Sequence, residues 1–186
     1  QGLIPETPFP TDPVFSHVSN CIVANNSMAC ETVFSYAKEL GFSPIMLSTQ
    51  LTGEASKIGP DLFEKAKKLH KEINGNIFIS GGEPTVTLKG DGKGGRNQEL
   101  VLSLVTLLNG SNSVFGSFGT DGIDGMSPAA GAIADGNTMR RAEENGMEVN
   151  LYLENNDSYT FFDGLQDTLV TGPTGTNVMD IQILMM

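Results

Sequence analysis

Hydrophobic residues follow two different periods along the chain and predict strands that alternate with helices. Short apolar runs typical of buried strands occupy residues 20–24, 43–47 and 76–79. Between these runs, apolar residues recur every three or four positions, which predicts one helix after the cap residues 25–27 and another over residues 54–73. This order of elements is typical of a parallel sheet with right-handed crossovers.

The second half of the chain continues the pattern with one interruption. Residues 85–89 alternate polar and apolar side chains after Pro84, which predicts a half-exposed edge strand or an antiparallel addition. We therefore expect an α/β fold, a three-layer α/β/α sandwich with a mostly parallel, mixed sheet. The remaining predicted elements are helices within residues 97–108, 135–145 and 151–165, and strands at residues 113–118, 168–170 and 179–184.

The first 19 residues differ from the rest because their prolines fall in a stretch without apolar periodicity. Such a composition is typical of an extended linker between domains. The sequence also opens with Gln1 rather than Met. We therefore expect residues 1–19 to be a proline-rich linker from a missing N-terminal domain, and residues 20–186 to form a C-terminal α/β domain.

Composition narrows the class of protein and of partner. A chain of 186 residues, 39% of them hydrophobic, can bury one ordinary core. The formal net charge of −11 argues against binding nucleic acid or an anionic membrane surface, so any anion site has to be local. The longest apolar run, residues 100–108, is too short to span a bilayer. Cys21 and Cys30 suit neither a disulfide framework nor a zinc site, which favours reduced thiols in a cytoplasmic protein.

Two glycine-rich turns in residues 80–99 carry the cations Lys93 and Arg96. Glycine lets a ligand approach main-chain N–H groups, so this stretch predicts an anion site, with phosphate favoured. Arg96 stands in the first turn of a predicted helix, where the macrodipole disfavours a cation, and this favours a guanidinium clamp for phosphate or carboxylate. Tight hairpin turns with a surface arginine are the alternative. The candidate residues are Gly81, Gly82, Glu83, Lys93, Gly94, Gly95, Arg96 and Asn97.

Two further glycine-rich loops, residues 119–125 and 171–177, also follow predicted strands. Ligands of open α/β sheets bind beyond the carboxyl ends of the strands, so we expect these two loops and the turn at residues 80–83, three loops in all, to share one edge. Asp121 and Asp124 can hold a hard cation such as Mg²⁺ or orient a hydroxyl, and a pair of Asx-turn aspartates is the alternative. The other candidates offer hydroxyls and an amide but no nucleophile: Thr120, Thr171, Thr174, Thr176 and Asn177.

The formal motif matches and the two histidines give little evidence for a function. Residues 90–95 fit G-x-G-x-x-G before a helix, but the preceding strand is amphipathic and no acid follows about 20 residues on. The same stretch resembles a P-loop, with Arg96 and Asn97 where Lys and Ser/Thr belong. His17 and His70 lie in the linker and on a lysine-rich helix face, so a Ser/His/Asp hydrolase has no support.

Four blocks, in this order, resemble a known family. They are GGEPTVTLKGDGKGGRNQE, then GTDGIDG with AAGAIADG, then NDSY followed by FF, and finally TGPTGTNV with a following Asp. Together they resemble the C-terminal, MOFRL-type domain of the glycerate 2-kinases, some members of which are named hydroxypyruvate reductases. The resemblance spans almost the whole chain, because residues 4–15 also resemble the segment that enters this domain.

The resemblance implies a two-domain kinase that transfers phosphate from ATP, with Mg²⁺, to glycerate and gives 2-phosphoglycerate. Its site would lie between a Rossmann-like N-terminal domain and this one, so the isolated chain is expected to be inactive. Arg96 matches an active-site arginine, and Asp121, Asp124, Thr174 and Asn177 match other loop positions. The sequence departs from the pattern at Pro84, Asp91 and residues 126–128. The family's N-terminal lysine and acid have no counterpart here.

Two other functions stay open on the sequence. An NAD(P)H-dependent hydroxypyruvate reductase would use the G-x-G-x-x-G turn at residues 90–95. A non-catalytic ligand-binding or regulatory module would use the same loops without turnover. The sequence also leaves a homodimer open as an assembly.

Overall fold

The computed structural model describes residues 7–73 and 75–186. Within these ranges, six strands form one sheet and helices cover both of its faces. The strands are β1 (Pro44–Leu51), β2 (Ile77–Gly82), β3 (Val114–Gly119), β4 (Gly131–Asp135), β5 (Thr168–Leu169) and β6 (Asp180–Met185). The helices are α1 (Asn26–Glu39), α2 (Ala55–Ile73), α3 (Arg96–Leu102), α4 (Val105–Leu108), α5 (Thr138–Glu144), α6 (Val149–Glu154) and α7 (Ser158–Leu165), with a 3₁₀ turn at Pro13–Phe15.

Local sequence signals account for the two long helices. The Asn25 side chain accepts a hydrogen bond from the Met28 N–H at 2.9 Å, and so caps α1 as its sequence predicts. Helix α2 buries Leu62 and Phe63 on one face and leaves its lysines outward. The backbone of α2 comes close to α3 at Gly59, where a Cβ would stand 2.4 Å from Ser103 Oγ.

The sheet is the middle of three layers. On one face, α1 packs over β1, β2 and β6, where Cys30, Ile79 and Ile181 form a small core. On the other face, the remaining helices bury a larger core that contains Phe78 and Leu184 from the sheet. The predicted three-layer α/β/α sandwich with a mixed sheet is confirmed.

The strand pairing contains less parallel structure than the sequence predicts. The strand order is β1-β2-β6-β3-β4-β5, and β1 with β2 is the parallel pair among the described strands. Strand β6 pairs antiparallel with both β2 and β3, and β4 pairs antiparallel with both β3 and β5. Strands β1, β2, β3 and β5 therefore point one way, but β6 lies between β2 and β3, and β4 lies between β3 and β5.

Several local predictions need correction. Residues 20–24 form no strand, and Ile22 and Val23 are exposed. Residues 85–89 form an irregular segment with a single bridge from Thr85 to Glu54 instead of an edge strand. The helix predicted at residues 97–108 is divided into α3 and α4, and β4 was not predicted.

The predicted linker at residues 1–19 lies partly outside the described residues. Its described part is exposed and carries the 3₁₀ turn. None of the helices in residues 7–73 and 75–186 combines the length and apolar character that a bilayer crossing requires.

Candidate functional site

The three glycine-rich loops meet at one edge of the sheet. In the register of the sheet, Asp180 at the start of β6 stands opposite both Gly82 at the end of β2 and Gly119 at the end of β3. The carboxyl ends of β2 and β3 therefore flank the amino end of β6. The expectation of a shared edge is confirmed, and the antiparallel direction of β6 is what brings the loop at residues 171–177 to it.

Hydrogen bonds join two of these loops to each other. The Thr174 hydroxyl donates to the Thr120 carbonyl oxygen at 2.6 Å, and the Asn177 amide donates to Asp121 Oδ2 at 3.0 Å. The Thr120 hydroxyl donates to the Met179 carbonyl at 2.7 Å. These side chains therefore shape the loops. Thr171 and Thr176 make hydrogen bonds within residues 171–177, and the Thr171 hydroxyl also lies close to Gly122.

Arg96 begins α3 and lies between two acids. Its Nε donates to Asp180 Oδ2 at 2.6 Å and its Nη2 to Asp180 Oδ1 at 3.0 Å, so the pair is bidentate. On its other side, Nη1 lies 3.1 Å from Glu83 Oε1. The Asp180 side chain is fully buried, that of Arg96 is 32% exposed, and that of Glu83 is 53% exposed. Asp180 therefore fixes the orientation of a guanidinium that solvent still reaches.

The electrostatics of this pair follow from its burial. Burial raises the pKa of Asp180, and the hydrogen bonds and charge of Arg96 oppose that rise. The same hydrogen bonds raise the pKa of Arg96, which stays a cation. Asp180 is a site residue that the sequence analysis missed. The available signal was the Asp that follows TGPTGTNV in the quoted blocks, next to the apolar residues of a predicted strand.

Asp124 has a different role from the one predicted. Its carboxylate is 2% exposed and accepts hydrogen bonds from the backbone N–H and the side-chain amide of both Asn97 and Gln98, at 2.8–3.2 Å. Burial raises the pKa of Asp124, and these four donors act in the opposite direction. The contacts satisfy the first N–H groups of α3 and leave this carboxylate no room for a cation, so Asp124 caps α3.

The predicted magnesium pair therefore does not converge. Asp121 accepts hydrogen bonds from the Ile123 N–H and from Asn177, and it does not share ligands with Asp124. Within residues 7–73 and 75–186, no group of three or more His, Cys, Asp or Glu side chains is arranged to hold a metal ion.

A cavity of about 640 Å³ lies beside the guanidinium. Arg96 and Glu83 line it, together with the backbone of Gly94 and Gly95. A Cβ at Gly95 would stand 2.4 Å from the Asp124 carboxylate, so glycine is required for this close approach. Glu83, Gly94, Gly95 and Arg96 are thus predicted site residues that the structure brings together.

Other predicted residues have structural roles or point elsewhere. A Cβ at Gly81 would clash with Asn26 and Cys30 of α1, which shows that this glycine serves packing. Gly82 has a φ of 146° and lies against the backbone of Leu51. The Lys93 backbone N–H donates to Asp157 at 2.8 Å, and Lys93 does not line the cavity.

The far wall of the cavity is the segment at residues 83–92, which side chains hold in place. The Asn156 side-chain oxygen accepts hydrogen bonds from the N–H groups of Lys89 and Gly90, at 2.7 and 3.2 Å. The Asn156 amide donates to Glu99 Oε2 at 2.8 Å. Glu99 and Asn156 both line the cavity and were not among the predicted residues. Glu99 occurs within the quoted block GGRNQE, so its position was visible but its burial was not.

Fold and site together define the class of protein. The MOFRL family matches residues 76–180, which is more than half of the chain, and the chain belongs to that family. This confirms the family resemblance noted in the sequence.

The names of individual relatives narrow the comparison further. The chain is 38% identical to a D-glycerate 2-kinase of Thermotoga maritima over 191 residues, covering 98% of this chain and 44% of the relative. It is 37% identical to a glycerate 2-kinase of Pyrococcus horikoshii, covering 90% of this chain and 39% of the relative. An Agrobacterium vitis protein with a provisional hydroxypyruvate reductase name is also 37% identical, with 88% of this chain and 39% of the relative covered.

Solved structures agree with this grouping. The crystal structure of the Thermotoga maritima glycerate kinase superposes with a TM-score of 0.86 at 39% identity, covering 91% of this chain and 43% of that one. A Pyrococcus horikoshii protein superposes with a TM-score of 0.81 at 37% identity, covering 91% and 40%. The chain thus spans less than half the length of these relatives.

Proposed function

We propose that this chain is part of a glycerate 2-kinase, which transfers phosphate from ATP to the 2-hydroxyl of glycerate. The observation that carries the proposal is the Arg96 guanidinium, held by buried Asp180 at the edge of a cavity. The kinase names of relatives 37–38% identical support it. A fixed cation can stabilise negative charge that develops on a transferring phosphoryl group.

Arg96 has donors left for such a ligand. A guanidinium carries five N–H groups. Asp180 takes two of them and Glu83 faces a third, so the others can reach phosphate oxygens. Glu83 is exposed and can move aside, whereas Asp180 is fixed in β6. An incoming anion would therefore replace Glu83 and leave the bidentate pair intact.

Magnesium fits the site only as part of a nucleotide complex. Mg²⁺ keeps several waters and takes one or two carboxylates together with substrate phosphates. Because Asp124 is occupied as a helix cap, the acids that could contribute an oxygen are Glu83 and Asp121 at this edge and the exposed Asp91 in the cavity wall. When bound, the ion would offset phosphate charge in a chain whose net charge is −11.

The proposed reaction needs more protein than this chain. Relatives named as glycerate kinases are more than twice its length. We infer that an upstream domain completes the cleft, that the chain alone does not turn over glycerate, and that the longer protein acts in the cytoplasm on small molecules.

The test compares the 186-residue chain with a longer protein that carries it, using ATP, Mg²⁺ and D-glycerate and detecting 2-phosphoglycerate. We expect activity only in the longer protein. There, Arg96→Ala should lower kcat/KM on the order of a hundredfold or more, because a phosphate-stabilising cation is lost. Arg140→Ala is the control, since Arg140 pairs with Glu144 on the surface of α5. Full activity of the short chain, or of Arg96→Ala, contradicts the proposal.

The reductase alternative loses its structural basis. Residues 90–95 do precede α3, but the described segment before them is irregular where a dinucleotide site requires a strand. The assay for this alternative is the oxidation of NADH or NADPH by hydroxypyruvate, followed at the nicotinamide absorbance band. Activity in that assay would support a reductase.

A further inference from the structure

The cavity beside Arg96 is larger than a three-carbon hydroxy acid requires. Its volume of about 640 Å³ lies within the range of pockets that enclose drug-sized ligands, roughly 300–1,000 Å³. Glycerate alone would leave most of this space to water. The shape therefore indicates a second, bulkier ligand group.

Two large apolar side chains stand at the cavity without a partner among the described residues. Leu88 is 76% exposed and Met126 is 88% exposed, and both line the cavity. They come from two separate parts of the chain, the segment at residues 83–92 and the loop that follows β3. Apolar side chains exposed around a concavity mark a binding surface. A flat ring bound there would cover both side chains.

Glu99 supplies a polar contact at the same cavity. It is only 4% exposed, and Asn156 donates to Oε2. Its other oxygen, Oε1, accepts no hydrogen bond from residues 7–73 and 75–186. This oxygen is not one of the fully buried atoms that lack a partner, so solvent in the cavity reaches it, and a ligand hydroxyl can replace water as its donor. Burial raises the pKa of Glu99, which is consistent with an incompletely solvated carboxylate.

Arg96 and Glu99 place a positive and a negative charge on the same face of α3. They are three residues apart on α3, so their Cβ atoms stand about 5–6 Å apart on one helix face. Acids outnumber cations in the cavity wall, where Glu83, Asp91 and Glu99 accompany Arg96. Polyphosphate is therefore favoured at the Arg96 end only, and neutral groups with hydroxyl donors are favoured in the body of the cavity.

We propose that this cavity binds the nucleoside part of the nucleotide, with a ribose hydroxyl donating to Glu99 and a purine base between Leu88 and Met126. The phosphate groups of the bound nucleotide then extend out of the cavity beside Arg96. An acidic side chain on a ribose hydroxyl is a common mode of nucleotide recognition. The assignment rests on the proposed kinase function, and it places the nucleoside on this chain.

The test is a titration of the 186-residue chain with adenosine and, separately, with 2′,3′-dideoxyadenosine, followed by amide NMR shifts. All residues of the cavity wall belong to this chain, so we expect adenosine to shift Leu88, Gly92 and Met126. Glu99→Gln should lower the affinity for adenosine roughly tenfold, because a charge-assisted hydrogen bond becomes a neutral one. The same variant should leave binding of the dideoxynucleoside nearly unchanged.

Matched variants separate a local effect from a general one. Glu72→Gln changes an exposed acid of α2 and should leave adenosine binding unaltered. Leu88→Ala should lower the affinity for both nucleosides several-fold. Leu151 is an exposed leucine on α6, and Leu151→Ala should lower the affinity for neither. The NMR spectra of the free variants report whether each one is folded.

Two results would overturn the assignment. One is the absence of shifts at the cavity up to the solubility limit of adenosine. The other is an equal loss of affinity for adenosine and for the dideoxynucleoside in the Glu99→Gln variant. If the longer protein phosphorylates glycerate but adenosine does not bind here, the kinase proposal stands and this inference fails. If adenosine binds here but glycerate is not phosphorylated, the inference stands and the kinase proposal fails.

Discussion

Replacing Asp180 by Asn tests whether the buried acid orients Arg96. The variant keeps the size of the side chain and one acceptor oxygen, but its NH₂ group would face a guanidinium N–H. One of the two hydrogen bonds, at 2.6 and 3.0 Å, is therefore lost, and Arg96 loses its buried counter-charge. Removing one partner of a buried pair costs about 3–5 kcal/mol.

The structure places the expected cost at the low end of that range. Arg96 keeps its contact with Glu83 and its side chain is 32% exposed, so water can solvate part of the freed charge. We expect Asp180→Asn to lower the free energy of unfolding by about 3 kcal/mol. Far-UV circular dichroism in urea measures this, because the chain contains no tryptophan for fluorescence.

A second arginine–aspartate pair provides the control. Arg141 donates from Nη1 and Nη2 to the two oxygens of Asp167, and its side chain is also 32% exposed. This pair lies away from the cavity, so Asp167→Asn should lower stability without lowering glycerate phosphorylation in the longer protein. Asp180→Asn should lower kcat/KM by roughly tenfold or more in addition, because the guanidinium is no longer held.

The result that refutes this reasoning is specific. If Asp180→Asn and Asp167→Asn lose similar stability and both keep full kcat/KM, then Asp180 does not orient a catalytic cation. A double-mutant cycle of Arg96→Ala with Asp180→Asn should give a coupling energy of about 1.5 kcal/mol or more. Additive losses in that cycle would contradict a direct interaction.

Three further predictions concern stability. Asp124→Ala should cost about 3 kcal/mol in urea unfolding, because Asn97 and Gln98 lose their acceptor, and a loss below about 1 kcal/mol would argue against the capping role. Gly95→Ala should cost about 1–3 kcal/mol because its Cβ would meet Asp124, whereas Gly116→Ala, with 3.5 Å of clearance, should cost less. Glu99→Gln should stabilise the chain at pH 7. The folded-state pKa of Glu99 lies above its ordinary 4.5, so the stability of the wild type falls as pH rises from about 4.5 through the folded-state pKa. The gain in stability of the variant over the wild type should therefore disappear below about pH 4.5. Glu54, Lys89 and Asp124 influence this titration, and an advantage that is independent of pH would exclude ionisation as its cause.

Much of the candidate site could be predicted because its residues lie in glycine-rich segments between strong elements. The loops, Arg96 and the shared edge followed from local patterns. Asp180 could not be assigned, because its pairing with Arg96 spans 84 positions of sequence. The sequence pairs Asp124 with Asp121 as a site for Mg²⁺ or a hydroxyl, with Asx turns as the alternative, because an exposed and a buried aspartate look alike in sequence. Burial and the four donors from α3 decide its role.

The sequence by itself determined the helices, most strands, the three-layer architecture and the family. These depend on periodicity, cap residues and short motifs, which act over a few neighbouring positions. Only the tertiary structure decided that β6 lies between β2 and β3 and runs antiparallel to both. That insertion sets Asp180 beside Arg96. Strand order and side-chain pairing depend on contacts between distant segments, and no local pattern in the chain records them.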